Sequence, residues 1–61
     1  MISLRNLSGK TFVLNAELIQ SVEASPDTVI TLTNGNRFVV KDSVEEVLGK
    51  VVEYKRKIHH G

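Results

Sequence analysis

The side chains that could perform chemistry are few in this sequence, and their spacing does not suit catalysis. Nucleophilic catalysis requires a serine, threonine, cysteine or lysine beside a positioned general base. The two histidines, His59 and His60, are adjacent and stand near the C-terminal end, where the backbone does not hold a base in a fixed position. Two neighbouring histidines also lack the further ligands of a metal site. We therefore expect no catalytic residue, no metal site and no cofactor.

The acidic residues and the one phosphate-loop fragment have structural explanations. Asp42, Glu45 and Glu46 stand at the start of a helical pattern, where the helix dipole favours negative charge. Ser8-Gly9-Lys10 resembles a fragment of a phosphate-binding loop, but the full spacing and the following helix are missing. These patterns indicate a protein that is not an enzyme and that acts by binding other macromolecules.

One cluster of basic residues is a candidate binding site. Lys55, Arg56 and Lys57 follow one another, with Lys50 one to two turns earlier on the same predicted helix. Their structural explanation is that positive charge complements the helix C-terminus. The functional alternative is that they dock an acidic protein surface, anionic lipid headgroups or phosphates. Three or four charges support only weak, salt-sensitive attachment, so we expect at most weak contact with a membrane surface.

The composition indicates one small folded domain. The chain has 61 residues, of which 41% are hydrophobic, and it contains no cysteine. A core of this size supplies about 3–5 kcal/mol of net stability, so we expect self-association to supply more. The net charge is +1, which is too balanced to predict nucleic-acid binding. The first residues alternate like a strand and show no apolar signal-peptide stretch, so we expect a cytoplasmic protein.

Short antiparallel strands are predicted between about residues 2 and 41, because apolar alternation is broken by turn signals every few residues. The turn signals are Ser8-Gly9-Lys10, Asn15-Ala16-Glu17, Ser25-Pro26-Asp27 and Asn34-Gly35. The last predicts a type I′ hairpin, which needs two positive φ angles. In the third strand Ile19 falls on the opposite parity from Gln20 and Val22, and a bulge would explain this mixed phase.

A helix is predicted over about residues 44–58. Ser43 and Glu46 have the spacing of a capping box. At 100° per residue one face carries an apolar stripe, with Val52 and Tyr54 beside it; the stripe is Val44, Val47, Leu48, Val51 and Ile58. Gly49 falls on the opposite, solvent side. The chain is thus predicted to be a single α+β domain, residues 1–61, with five strands in a small antiparallel sheet or partial barrel and one C-terminal helix packed on it.

The two faces of the predicted sheet differ, and the difference suggests a binding surface. One face matches the helix stripe and is the predicted core; it carries Ile2, Leu4, Phe12, Leu14, Ile30, Leu32, Phe38 and Val40. The other face carries Val13, Ile19, Val29 and Val39 among polar residues. These are either scattered surface aliphatics or a patch that another subunit or partner covers. We favour the patch, and we expect Val39→Asp to shift a homo-oligomer toward monomer.

Three segments stand in an order that is typical of one protein family. They are Leu14-Asn15, Pro26-Asp27-Thr28-Val29-Ile30 and Ser43-Val44-Glu45-Glu46-Val47. Together with Met1-Ile2, Leu4, Gly9, Phe12, Asn34-Gly35 and Tyr54-Lys55, they resemble the FlbD/SwrD family of small flagellar proteins over nearly the whole chain. Ser8, Gly49 and the His59-His60-Gly61 end depart from the family pattern.

The resemblance implies a bacterial flagellar accessory protein that supports motor power and swarming, through the stator units and without catalytic residues. Our hypothesis is that a small homo-oligomer docks on stator or basal-body proteins at the inner, cytoplasmic face of the flagellar basal body. The candidate protein-binding residues are Val13, Ile19, Val29, Val39, Lys50, Lys55, Arg56 and Lys57.

Two other functions stay open at this point. The order of strands, Asn-Gly hairpin and terminal helix is similar to the carbon storage regulator and to the LytTR domain, which bind nucleic acids. The near-neutral charge argues against nucleic acid as a partner, and so does the placement of Phe12 and Phe38 in the predicted core, which leaves no stacking platform. The second alternative is an assembly factor that stabilises another flagellar protein.

Overall fold

The structure, a computed structural model, describes residues 1–24 and 26–58. Five strands precede one helix, as predicted, and the α+β fold class is confirmed. The elements are β1 (Ile2–Arg5), β2 (Thr11–Leu14), a 3-10 turn (Ala16–Leu18), β3 (Ile19–Ala24), β4 (Thr28–Leu32), β5 (Arg37–Val40) and α1 (Val44–Ile58). Ser25, His59, His60 and Gly61 lie outside the described residues, and so does the Ile58 side chain that we predicted in the apolar stripe.

The strands form two antiparallel sheets that meet at one point. β1 pairs with β2, and β3, β4 and β5 pair in that order. A single bridge between Asn6 and Val40 joins the two sheets, and beside it the Lys41 N–H donates to the Arg5 carbonyl at 2.8 Å. The helix packs against β1 and β3, and therefore spans from one sheet to the other.

Asparagine side chains organise the turns. The Oδ1 atom of Asn6 accepts hydrogen bonds from the Ser8 N–H, the Ser8 hydroxyl and the Lys10 N–H at 2.8 to 3.1 Å, around Gly9 at φ +88°. The loop after β4 differs from the predicted type I′ hairpin. Among the described residues only glycines have a positive φ. Asn34 therefore has a negative φ, and Gly35 is the one residue of the predicted Asn-Gly pair with a positive φ. The Leu32 N–H donates to the Asn36 carbonyl at 2.7 Å, so the loop consists of residues 33–35 and is one residue longer than a two-residue hairpin loop.

The mixed phase of β3 is resolved by a bulge. The register of β3 against β4 shifts between Ile19 and Ser21, so that Ile19 lies opposite Leu32 and Val22 lies opposite Ile30. Both Ile19 and Val22 therefore pack against the core. Our prediction that Ile19 belongs to the second face was wrong. The bulge inserts one residue into β3, and side chains before it therefore point to the opposite face from the one that simple alternation predicts.

The core lies between the helix and the inner faces of both sheets. Its buried members come from every element except β3 and are Ile2, Leu4, Leu14, Ala16, Ile30, Leu32, Val40 and Val47. Phe12 and Phe38 are partly buried beside them, with ring centroids 5.7 Å apart. The predicted inner face is thus confirmed. Ala16 also belongs to the core, although the sequence analysis assigned it only to a turn.

The start of the helix matches the capping-box prediction. The Glu46 N–H donates to the Ser43 hydroxyl oxygen at 3.1 Å, and the Ser43 N–H donates to a Glu46 carboxylate oxygen at 2.9 Å. Two backbone donors that the first turn leaves without helical partners are thereby satisfied. These bonds hold α1 at a defined point after β5.

Candidate functional site

The described residues contain no grouping suited to metal binding. Among residues 1–24 and 26–58, no cluster of three or more histidine, cysteine, aspartate or glutamate side chains could hold a metal ion. Every buried side-chain nitrogen and oxygen in that part of the chain has a hydrogen-bond partner.

Lys50 is engaged in a structural network. Its Nζ atom donates to the Ser3 carbonyl oxygen at 2.6 Å and to a carboxylate oxygen of Asp42 at 2.8 Å. The other Asp42 oxygen accepts the Arg5 N–H at 2.8 Å. These bonds tie the helix to β1 and to the segment that follows β5. The sequence pattern grouped Lys50 with the three basic residues at the helix end. In the structure Lys57 lines the same groove as Lys50, whereas Lys55 and Arg56 do not line it.

Asp42 is the key acceptor of this network, a role that sequence reasoning missed. Its side chain is only 9% exposed. Burial pushes the pKa of Asp42 upward, but the hydrogen bonds from Lys50 and the Arg5 N–H, with the Lys50 charge, outweigh it and lower the pKa below its ordinary value of 3.8. Asp42 is therefore ionised near neutral pH. No local signal could have found this role, because its partners lie 8 and 37 residues away.

The capping carboxylate of Glu46 shows a shift in the same direction. Hydrogen bonds from the backbone N–H and the side chain of Ser43 lower the pKa of Glu46 below its ordinary value of 4.5. Both Asp42 and Glu46 are thus explained by contacts within the fold, and neither is free to act as a general acid at neutral pH.

The valines predicted on the second face divide between two places. Val29 and Val39 are opposite each other on β4 and β5, with Glu23 on the far side of Val29. Val39 is 38% exposed, and Val29 is partly buried. Val13, 65% exposed, lies on the other sheet opposite Ser3. The outer surface of the three-stranded sheet therefore carries one adjacent apolar pair, and Val13 stands apart from it.

The three basic residues at the helix end are all exposed. Because successive helical residues are turned by about 100°, Lys55, Arg56 and Lys57 point in three different directions. Lys57 lies on the edge of the helix near β1, beside a shallow groove of about 280 Å³. The groove is lined by Met1, Ile2, Ser3, Lys50, Glu53, Tyr54 and Lys57. The basic residues thus surround the helix end and do not form a single patch.

A second apolar surface, which the sequence pattern did not predict, lies on the helix. Leu48 was predicted in the core stripe, but it is 49% exposed, and Val52 is 55% exposed. The prediction for Leu48 was wrong because the helix packs chiefly against β1 and β3. A narrow stripe including Val47 and Val51 suffices to cover them. Leu48 and Val52, four residues apart, form a neighbouring exposed pair.

No helix among the described residues is long and apolar enough to cross a membrane. The described part of the chain thus presents a compact α+β fold with an apolar pair on the outer sheet surface, a second pair on the helix and a basic helix end.

Comparison with protein families identifies which class of small protein this is. The family model FlbD, described as flagellar and swarming motility proteins, matches residues 1–59. The chain belongs to this family, and membership assigns it a role in flagellar and swarming motility. The search of curated proteins and the search of solved structures gave no match.

Proposed function

We propose that the protein is a non-catalytic accessory of the bacterial flagellar motor that supports motor power by binding a stator or basal-body component at the inner face of the basal body. The observation that carries the proposal is the match of residues 1–59 to flagellar and swarming motility proteins. The exposed side chains supply a means of action, since the described residues offer binding surfaces but no metal-binding cluster.

The outer surface of β4 and β5 is the proposed docking site. Val29 and Val39 form an adjacent apolar pair there, and Arg37 lies two residues before Val39 on the same strand face. An apolar centre with charged neighbours at its rim is the usual anatomy of a protein interface. The exposed Lys55, Arg56 and Lys57 add a weak electrostatic attraction to acidic protein surfaces, and a salt-sensitive contact with anionic headgroups at most.

The test is complementation of a deletion strain of a swarming bacterium. The wild-type gene is expected to restore swarming and motor torque, and Val39→Asp is expected to restore them poorly, because an unpaired carboxylate at the centre of an interface is costly. Val13→Asp is the matched control, since it makes the same change at an exposed valine of the other sheet. Thermal unfolding of both variants checks that each remains folded.

Separate readouts distinguish motor power from assembly. Flagellar number and stator protein levels are counted in the deletion strain, because an assembly factor would lower one of them. Normal counts with weak torque support the proposal. Unchanged torque and swarming in the deletion strain would refute it.

A further inference from the structure

The exposed edge of the helix has a pattern that complements itself. Glu45, Leu48, Val52 and Lys55 are separated by three, four and three residues, the spacing of a single seam on a helix. All four are exposed, and Leu48 and Val52 are exposed large hydrophobic residues of α1. We call these four residues the α1 seam. It spans about 15 Å along the helix at about 1.5 Å per residue.

We propose that the α1 seam is a dimerisation surface on which a second copy of the chain docks with its helix antiparallel to the first. In that arrangement a two-fold axis passes near residue 50. Leu48 of each copy then faces Val52 of the other, and Glu45 of each faces Lys55 of the other. An apolar pair is covered, and two opposite-charge pairs close its ends.

The charge order explains why the occupant is a second copy and why it is antiparallel. A parallel pair of helices would place Glu45 against Glu45 and Lys55 against Lys55, and like charges that face each other are destabilising. The antiparallel pair brings each negative end of the seam to a positive end. Because the charges and apolar residues of the seam are complementary to those of a second, antiparallel copy, the dimer pairs both charged residues of the seam.

The same network that positions the helix leaves the seam free. Lys50 is held on the β1 side by Asp42 and the Ser3 carbonyl, and Val47 and Val51 pack against the core. The seam therefore faces away from the sheets. Its length corresponds to a small interface, below the area of standard stable complexes, so the dimer is expected to be weak and concentration-dependent.

The proposal goes beyond the motility role and does not depend on it. Sedimentation equilibrium of the purified chain, from about 10 μM to about 1 mM, gives the association constant. Wild type is expected to exceed its monomer mass of 6.8 kDa as concentration rises. Leu48→Lys is expected to weaken association at least about tenfold, because it removes the apolar centre of the contact.

Reversing the charges of the seam distinguishes a lost contact from a folding defect, because a folding defect would not be repaired by a second charge reversal. Glu45→Lys and Lys55→Glu are each expected to weaken the dimer about threefold to tenfold, since each creates two like-charge contacts. The double variant is expected to recover association, because the opposite-charge pairs are restored with their signs exchanged. Glu53→Lys is the matched control on the groove-lining edge of the same helix, and it is expected to leave association unchanged.

Two results would overturn the inference. A wild-type chain that remains monomeric at about 1 mM excludes the dimer, whatever the motility assays show. Association that is abolished by Val39→Asp but insensitive to Leu48→Lys and to the charge reversals would place the contact on the sheet surface instead. Loss of motility with an intact dimer, or the reverse, separates this inference from the proposed function.

Discussion

Gly49 is a position where a single substitution should stabilise the protein. It lies in the middle of α1 and is exposed. Apart from its chain neighbours and the nearby backbone of its own helix, a Cβ atom added there would meet no heavy atom within 4 Å, and the φ of Gly49 is not in the positive range. Glycine inside a helix costs about 0.5–1 kcal/mol relative to alanine, because its unfolded chain has more freedom to lose. Gly49→Ala should therefore raise the free energy of unfolding by that amount.

The two turn glycines, Gly9 and Gly35, are matched controls for which the expected effect on stability has the opposite sign. Gly9 and Gly35 also have open space around the added Cβ, but their φ angles are +88° and +91°. An L-residue in the left-handed region costs about 1–2 kcal/mol. Gly9→Ala and Gly35→Ala should therefore destabilise the fold although nothing obstructs the new methyl group. The contrast isolates backbone conformation from packing.

Thermal unfolding followed by circular dichroism measures all three variants. For a domain of this size, 1 kcal/mol moves the midpoint by about 4–8 °C, so Gly49→Ala should raise it by about 2–8 °C. The scans are run at two protein concentrations, because dimer formation would also raise the midpoint. A neutral or lower midpoint for Gly49→Ala at the lower concentration would contradict the reasoning, and so would an unchanged midpoint for Gly35→Ala.

Two further predictions concern the core and the Asp42 network. Ile30 is fully buried, so Ile30→Ala should lower the free energy of unfolding, measured by urea titration, by about 2–5 kcal/mol. That loss is close to the whole stability of so small a domain. Val13 is exposed, and Val13→Ala should change the same quantity by no more than about 0.5 kcal/mol. The lowered pKa of Asp42 means that its contribution to stability is complete above about pH 5 and is lost as the pH falls through the lower folded-state value. Asp42→Asn should therefore unfold at a lower midpoint at pH 7 and show a shallower loss of stability between pH 5 and about pH 2.5; a slope equal to that of wild type would contradict the network.

The local elements could be read from the residues because short-range contacts form them. The Ser43–Glu46 capping box, the Gly9 turn and the alternation in β1 and β2 depend on neighbours within a few positions. The strand count, the helix bounds and the inner face of the sheet followed from those signals. The family resemblance added the motility role, which the match over residues 1–59 confirms.

The candidate surfaces were harder to predict, because long-range packing assigns each side chain to one of several environments. Ile19 was misplaced since a bulge, which periodicity alone cannot locate, reversed its face. Leu48 was misplaced since the width of the covered stripe depends on how many strands lie beneath the helix. Whether the valines of the outer face bind a partner remains a prediction.

Hydrophobic periodicity and turn chemistry were enough to specify which segments become strands, where the helix begins and which face is apolar, because these depend on backbone geometry within a few residues. The association of Lys50 with Asp42 and the Ser3 carbonyl arises only when segments as far as 47 residues apart meet. Folding thereby gives Lys50 a structural role in this network and leaves Leu48 and Val52 at the surface. Contacts between distant segments carry no local signature, and they assign these side chains to the interior or to the surface.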